Sequence, residues 1–167
     1  MSVTLAIPYA DMAKQEINDF REKFDCGEPS LNEYLVNTMG QHNKKGITPS
    51  FLLPSTDPLH PLIGYYSLTH GQLDCSGLTE STKKKLKLPN IVPILRLSRL
   101  AIDKHFEKKG FGKILMAEIF YRAQISKQNG GCVFIVVDAL HEDAKKYYEK
   151  YGFEAMVDNP LQLYLKV

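Results

Sequence analysis

The sequence predicts an α+β fold carried by a single domain spanning residues 1–167, on three observations. Apolar runs of strand length alternate along the chain with segments of helical period, and antiparallel hairpins are expected at both ends. No internal repeat or low-complexity linker divides the chain. With 167 residues and 44% hydrophobic content, one core can bury roughly two thirds of the unfolded surface.

The elements follow in order. Val3 to Ile7 is apolar and β-prone and predicts a first strand, before a short helical stretch around Met12 to Phe24. Pro29 and Ser30 open an amphipathic helix in which Leu31, Tyr34, Leu35, Thr38, Met39 and His42 recur at three-and-four spacing, ending near Gly46. Ser50 to Leu53 and a strand from Leu62 towards Gln72 form a hairpin across the turn-rich Ser55 to Pro61. Leu78 to Leu88 reads as a short lysine-rich helix, and Ile94 to Ile102 as a strand behind Pro89 and Pro93. From Gly112 to Gln128, Leu115, Ile119 and Ala123 stand at i, i+4 with Met116 and Phe120 widening the stripe, until Asn129, Gly130 and Gly131 stop the helix. Cys132 to Val137 is a continuous apolar run, the pattern of a central strand buried on both faces. A helix from His141 to Lys150 follows, and Leu161, Leu163 and Leu165 alternate with Gln162, Tyr164 and Lys166 in a closing strand.

Composition excludes several classes. A formal charge of +2 does not by itself mark a nucleic-acid binder, although Lys83, Lys84, Lys85 and Lys87 cluster, as do Lys104, Lys108, Lys109 and Lys113. Most such runs are solvated faces. Cys26, Cys75 and Cys132 are odd in number and never paired as CxxC, so neither a disulfide framework nor a zinc site is indicated. The five histidines never fall at i, i+4 on one helix, which removes the simplest metal motif; no metal is expected. The first ten residues lack a signal-peptide pattern and no apolar run has the length of a membrane span, so a soluble, cytoplasmic protein is expected.

The most informative segment is the order strand, turn, helix at Leu97 to Asp103, Lys104 to Phe111 and onward from Gly112. Its turn reads Glu107-Lys108-Lys109-Gly110-Phe111-Gly112-Lys113. Glycines there let the backbone take positive φ and approach a ligand, while the first helical amides have no internal acceptor and suit a pyrophosphate. The flanking lysines add point charges. A surface turn with solvated lysines is the competing reading. A Walker turn is excluded because GxxxxGK(S/T) is missing, and GxGxxG fails because Leu115 occupies its last glycine position.

On these residues the chain resembles the GNAT superfamily of acyl-CoA N-acyltransferases, whose pyrophosphate loop reads Q/R-x-x-G-x-G/A. Glu107 departs from that pattern at its first position; a carboxylate beside phosphates costs affinity unless it turns away. The resemblance runs from about Phe24 to the C-terminus and is closest to the GNAT toxins of bacterial type II toxin-antitoxin pairs. Phe24-Asp25-Cys26-Gly27 with Leu31 and Leu35 is similar to their F-x-C-G start of the first long helix, and Gly64-Tyr65-Tyr66-Ser67-Leu68 to their second strand. Arg99-Leu100-Ala101-Ile102-Asp103 is similar to R-L-A-V-D, and Ala144 through Tyr148 with Gly152-Phe153 to A-x-x-x-Y-x-x-x-G-F. The resemblance implies a mixed, mostly antiparallel central sheet flanked by helices. It implies that Leu100, Ala101 and Ile102 pair with the pantetheine arm of acetyl-CoA, that residues 107–113 hold the pyrophosphate, and that Tyr148 protonates the departing thiolate. Composition alone does not separate Tyr148 from Tyr147 or Tyr151.

The chemistry expected is direct attack of a neutral amine on the thioester, which requires attack geometry, a donor on the carbonyl and a proton for sulfur. No cysteine has a recognisable histidine partner in the sequence, so a ping-pong route is the weaker reading. An α-amine with pKa near 8 is neutral in roughly one molecule in ten at pH 7, a lysine amine in about one in 2,500. No dedicated base declares itself, which favours an α-amine acceptor or a water relay. The resemblance implies the α-amine of an aminoacyl-tRNA as acceptor, a ribbon-helix-helix antitoxin as partner and a homodimer; Lys44, Lys45 and the Lys83 to Lys87 cluster could serve the tRNA phosphates. Acetylation of a small-molecule amine or peptide N-terminus is the alternative enzyme. A CoA-binding sensor without turnover, motivated by Glu107, is the alternative of another class.

Overall fold

The computed structural model describes residues 5–167. Among these residues seven strands, β1 (Ile7–Pro8), β2 (Ser50–Pro54), β3 (Leu62–Asp74), β4 (Ile91–Ile102), β5 (Phe134–Asp138), β6 (Glu154–Ala155) and β7 (Gln162–Lys166), hydrogen-bond in the order β1-β2-β3-β4-β5-β7-β6. The ladder of β4 with β5 is parallel, whereas β1 with β2, β2 with β3, β5 with β7 and β6 with β7 are antiparallel. Helices lie between the strands in sequence, giving the α+β class expected.

The chain divides into two compact units, residues 1–69 with 98–119 and residues 70–97 with 120–167. In the first, β1 (Ile7–Pro8) pairs with β2 (Ser50–Pro54), which forms a hairpin with β3 (Leu62–Asp74). Of the strand expected over Val3 to Ile7, Leu5 and Ala6 are not paired and β1 begins only at Ile7, while Val3 and Thr4 lie outside the described residues. Between β1 and β2 come α1 (Lys14–Lys23), α2 (Pro29–Glu33) and α3 (Met39–Lys44). Residues Tyr34–Thr38 join α2 to α3 as a π-turn, closed by the Met39 amide on the Tyr34 carbonyl. Thr38 and His42 of the expected apolar face are only partly buried, whereas Leu31, Tyr34, Leu35 and Met39 are buried. Leu31, Tyr34, Leu35 and Met39 share a core with Ile17, Phe20, Phe24, Leu52, Tyr65 and Ala101.

A buried carboxylate anchors the beginning of this unit. Glu118, 4% exposed, accepts from the Leu5 and Ala6 amides at 2.8 and 3.1 Å and from the Tyr66 hydroxyl at 3.2 Å. These donors satisfy the oxygens that burial takes from water.

In the second unit, β5 (Phe134–Asp138) lies between β4 (Ile91–Ile102) and β7 (Gln162–Lys166), which explains its apolar run. The strand β4 begins at Ile91, three residues before the expected start, and contains Pro93. Strand β7 does not alternate in burial: Leu163 and Tyr164 are both buried, because the Tyr164 ring packs on Phe134 and its hydroxyl bonds Glu154 and Thr82. The short β6 (Glu154–Ala155), which sequence reading did not mark, caps that edge. Helix α4 (Glu80–Leu86) is capped by the Thr79 hydroxyl on the Thr82 amide, and α6 (Glu142–Glu149) by His141 Nδ1 on the Ala144 amide. The parallel step from β4 to β5 needs a crossover, which α5 (Phe111–Asn129) provides. Among the described residues no helix is long and apolar enough to cross a membrane.

Candidate active site

The end of β4 and the start of α5 are built around one buried acid. Asp103, 3% exposed, accepts the Asp25 amide at 3.0 Å and the His105 amide at 2.8 Å, while its own amide donates to the Ile63 carbonyl at 2.8 Å. It fastens the strand's last residue to β3, to the Phe24–Gly27 segment and to the turn ahead. Asp25 continues the chain of contacts: its carboxylate accepts from the Gly27 amide and the Asn32 side chain and lies 3.4 Å from the Lys104 ammonium. Those bonds, the Gly27 amide foremost, hold the Asp25 carboxyl below the usual carboxylate range. Sequence reading placed Asp103 and Asp25 in the motifs without assigning either a role; the alternation of buried positions on β4 gives no sign that an acid ends it.

Leu100, Ala101 and Ile102 lie beyond Ile94–Leu97, the part of β4 laddered to β5. Ala101 is buried, its neighbours partly so. Here β3 approaches closely: a Cβ on Gly64 would stand 2.5 Å from the Ala101 carbonyl oxygen and 2.7 Å from Ile102 Cδ1, so only glycine fits. Arg99 lies over the Tyr34 ring at 4.5 Å, and Tyr34 in turn stacks on Tyr65 and bonds His42 through its hydroxyl. Arg99 therefore ties β4 to the π-turn.

The following turn has two left-handed residues, Lys108 at φ +59° and Gly110 at φ +88°. Sequence reading anticipated the glycine; a lysine in that region has no local signal. The Gly110 carbonyl accepts the Ile114 amide at 3.3 Å, which makes Gly110 the cap of α5. The amides of Phe111, Gly112 and Lys113 precede the first helical bond and have no acceptor within the helix. Alternating left-handed residues turn successive amides into an anion-binding concavity, and the helix end adds partial positive charge. Glu107, Lys108, Lys109 and Lys113 are exposed, with the Lys109 ammonium 5.8 Å from the Phe106 ring centre.

Tyr148 belongs to the second unit, on α6, and is 8% exposed. Its ring contacts Tyr147 and Phe153 at 5.4 and 5.7 Å between centres. Structure separates the three tyrosines that composition left equivalent. The Tyr147 and Tyr151 hydroxyls face each other at 3.4 Å and both rings are partly exposed, whereas Tyr148 is buried; burial pushes the phenols of both Tyr147 and Tyr148 above their ordinary range, with the Tyr151 hydroxyl adding to the rise at Tyr147. All three cysteines are buried, and burial raises each thiol.

Residues 63–155 match the acetyltransferase (GNAT) domain family. A tRNA-acetylating toxin of Mycobacterium tuberculosis (strain ATCC 25618 / H37Rv) is 30% identical over 142 residues, 85% of this chain and 82% of that one. Among solved structures, AtaT complexed with acetyl-methionyl-tRNAfMet superposes with a TM-score of 0.79 at 28% identity, covering 87% of this chain and 86% of that one. A tyrosine-to-phenylalanine mutant of the AtaT toxin, bound to the C-terminus of the antitoxin AtaR and acetyl-CoA, matches with a TM-score of 0.72 at 26% identity over 86% and 82%. With strand, glycine turn and helix start falling inside the matched region, the chain belongs to the GNAT acetyltransferase family and is an N-acetyltransferase.

Proposed function

We propose that this chain, as one catalytic domain, transfers the acetyl group of acetyl-CoA to the α-amine of an aminoacyl-tRNA. The observation that carries the reading is the left-handed turn at Lys108 and Gly110 opening α5, a main-chain cradle for a pyrophosphate directly after the strand end. The acetyl-CoA-bound relative, and the tRNA-acetylating one that this chain matches over most of its length, support the donor and the acceptor.

In this reading the amides of residues 107–113 hold the diphosphate. Exposure of Glu107 lets its carboxylate turn into solvent, so the departure from the family pattern leaves the cradle intact. The backbone of Leu100, Ala101 and Ile102 pairs with the pantetheine arm as an added strand and aligns the thioester. The amine attacks the carbonyl directly; the C–N bond forms, the C–S bond breaks, and Tyr148 gives its proton to the leaving sulfur. Raised thiol pKa values at Cys26, Cys75 and Cys132 keep them protonated, which disfavours an acetyl-cysteine intermediate. Lys44 and Lys45, exposed at the end of α3, and the α4 lysines supply phosphate contacts for tRNA. An antitoxin of ribbon-helix-helix type and a second copy of the chain complete the partners of the proposal.

The test is thiol release from acetyl-CoA with purified aminoacyl-tRNA as acceptor. Turnover is expected, with Tyr148→Phe lowering kcat by about 10²-fold or more while acetyl-CoA still binds. Turnover with free amines alone would replace the acceptor, and binding without turnover on any amine would replace the reaction.

A further inference from the structure

Sequence spacing offers no pair of metal-ligating histidines, yet the fold assembles one. His60, in the β2–β3 connection, and His105, in the turn after β4, lie in the same unit with parallel rings, 3.9 Å between centres and 2° between planes. The Asp57 carboxylate stands 3.9 Å from His105 Nε2. One ligand atom from each of Asp57, His60 and His105 lies within 4.8 Å of the other two. We propose that these three side chains form a binding site for a divalent transition metal of the zinc class.

Two imidazoles and one carboxylate make the nitrogen-rich set that suits zinc, nickel or copper and disfavours magnesium or calcium. Three protein ligands with partly exposed rings leave a fourth position for water. A tetrahedral zinc at about 2.0–2.1 Å from each ligand brings the ligand atoms to about 3.4 Å of one another. Rotation of the two rings out of their stack closes that gap. The surroundings are prepared for it. Asp57 Oδ1 already accepts the Leu59 amide at 2.9 Å and its amide bonds the Ser55 hydroxyl, which leaves the carboxylate fixed on the loop. Buried Asp103, held by two main-chain amides, places Oδ1 4.0 Å from His60 Nδ1, where it can take the N–H of an imidazole whose other nitrogen binds metal. Phe106 stands edge-on to both rings and walls the site on one side. The three cysteines are buried with raised thiol pKa values, so they do not compete for the ion. A bound ion would clamp residues 55–61 to residues 104–106, and it does so whether or not the adjoining turn holds a pyrophosphate.

The experiment uses the full chain without an affinity tag, stripped with a chelator, titrated with Zn²⁺ by calorimetry and with Co²⁺ by visible absorption. One ion per chain is expected, with the intense d–d bands of a tetrahedral cobalt site and slowed amide exchange in residues 55–61 and 104–106. His60→Gln, His105→Gln and Asp57→Asn, the last of which keeps the acceptor for the Leu59 amide, are each expected to weaken binding about tenfold or more. His70→Gln, at an exposed histidine outside the cluster, leaves it unchanged. Absence of saturable binding by a chain whose circular dichroism shows it folded would overturn the proposal. So would zinc affinity undiminished in the folded His60→Gln/His105→Gln double variant, the outcome expected if the rings merely stack as neutral imidazoles.

Discussion

Tyr148 and Glu118 show how the same physical event, burial of an ionisable group, serves opposite ends. Around Tyr148 no hydrogen-bond partner among the described residues compensates for lost water, so the phenol keeps its proton throughout the working pH range, as the donor to sulfur proposed above must. If Tyr148 is the proposed acid, its raised pKa sets the sign of the pH dependence: it stays competent until pH exceeds the ordinary tyrosine range, and only the acceptor amine titrates below it. We therefore expect kcat/KM with an α-amine acceptor to rise about fivefold from pH 7 to 8, level off, and not fall before about pH 10. An alkaline fall near pH 8 to 9 in the rate profile would assign the acid to another group. Around Glu118, by contrast, three donors compensate. Glu118→Leu leaves the Leu5 and Ala6 amides and the Tyr66 hydroxyl without that acceptor and should destabilise the fold by about 3 kcal/mol, with Glu118→Gln costing less, as read from urea unfolding. Neither environment was legible in the chain: Tyr148 was singled out by its place in a motif, and Glu118 sits unannounced among the polar residues of an amphipathic helix.

At the scale of elements, periodicity located nearly every helix and strand, because apolar spacing records which face is covered. It failed where a tertiary contact replaced the local pattern. The π-turn at Tyr34–Thr38 is invisible to a 3.6-residue repeat, the two-residue β1 and β6 are too short to carry a period, and β7 is covered on both faces despite its alternation. The site's defining contact is also between elements. Gly64 admits the Ala101 carbonyl to within 2.5 Å of where a Cβ would be, so β3 fixes the path of the strand end proposed to hold pantetheine. Gly64→Ala must push that backbone aside, and we expect a loss of about 1–3 kcal/mol in unfolding experiments together with a KM for acetyl-CoA raised by tenfold or more. A variant with wild-type stability and KM would show that the approach is slack.

For the whole molecule, the sequence order of elements indicated a mixed α+β arrangement, while the family motifs supplied the sheet that periodicity cannot order. Nothing in residues 91–102 or 134–138 states that β4 and β5 run parallel; the 19-residue α5 between them is the only trace, since a parallel pair demands a crossover. That crossover is also what puts a helix start beside a strand end, and the proposed activity depends on this juxtaposition. Titration calorimetry of acetyl-CoA against the wild-type chain and Gly110→Ala tests it most directly, because Gly110 has open space around a would-be Cβ and φ +88°, so the substitution perturbs the turn's conformation without a clash. The expected result is one site per chain in the wild type, weakened about tenfold or more in the variant, with acetyl-pantetheine, which lacks the diphosphate, bound weakly and equally by both. Equal acetyl-CoA affinity in the two proteins, or no binding by the wild type, would contradict a pyrophosphate held by the main chain of this turn.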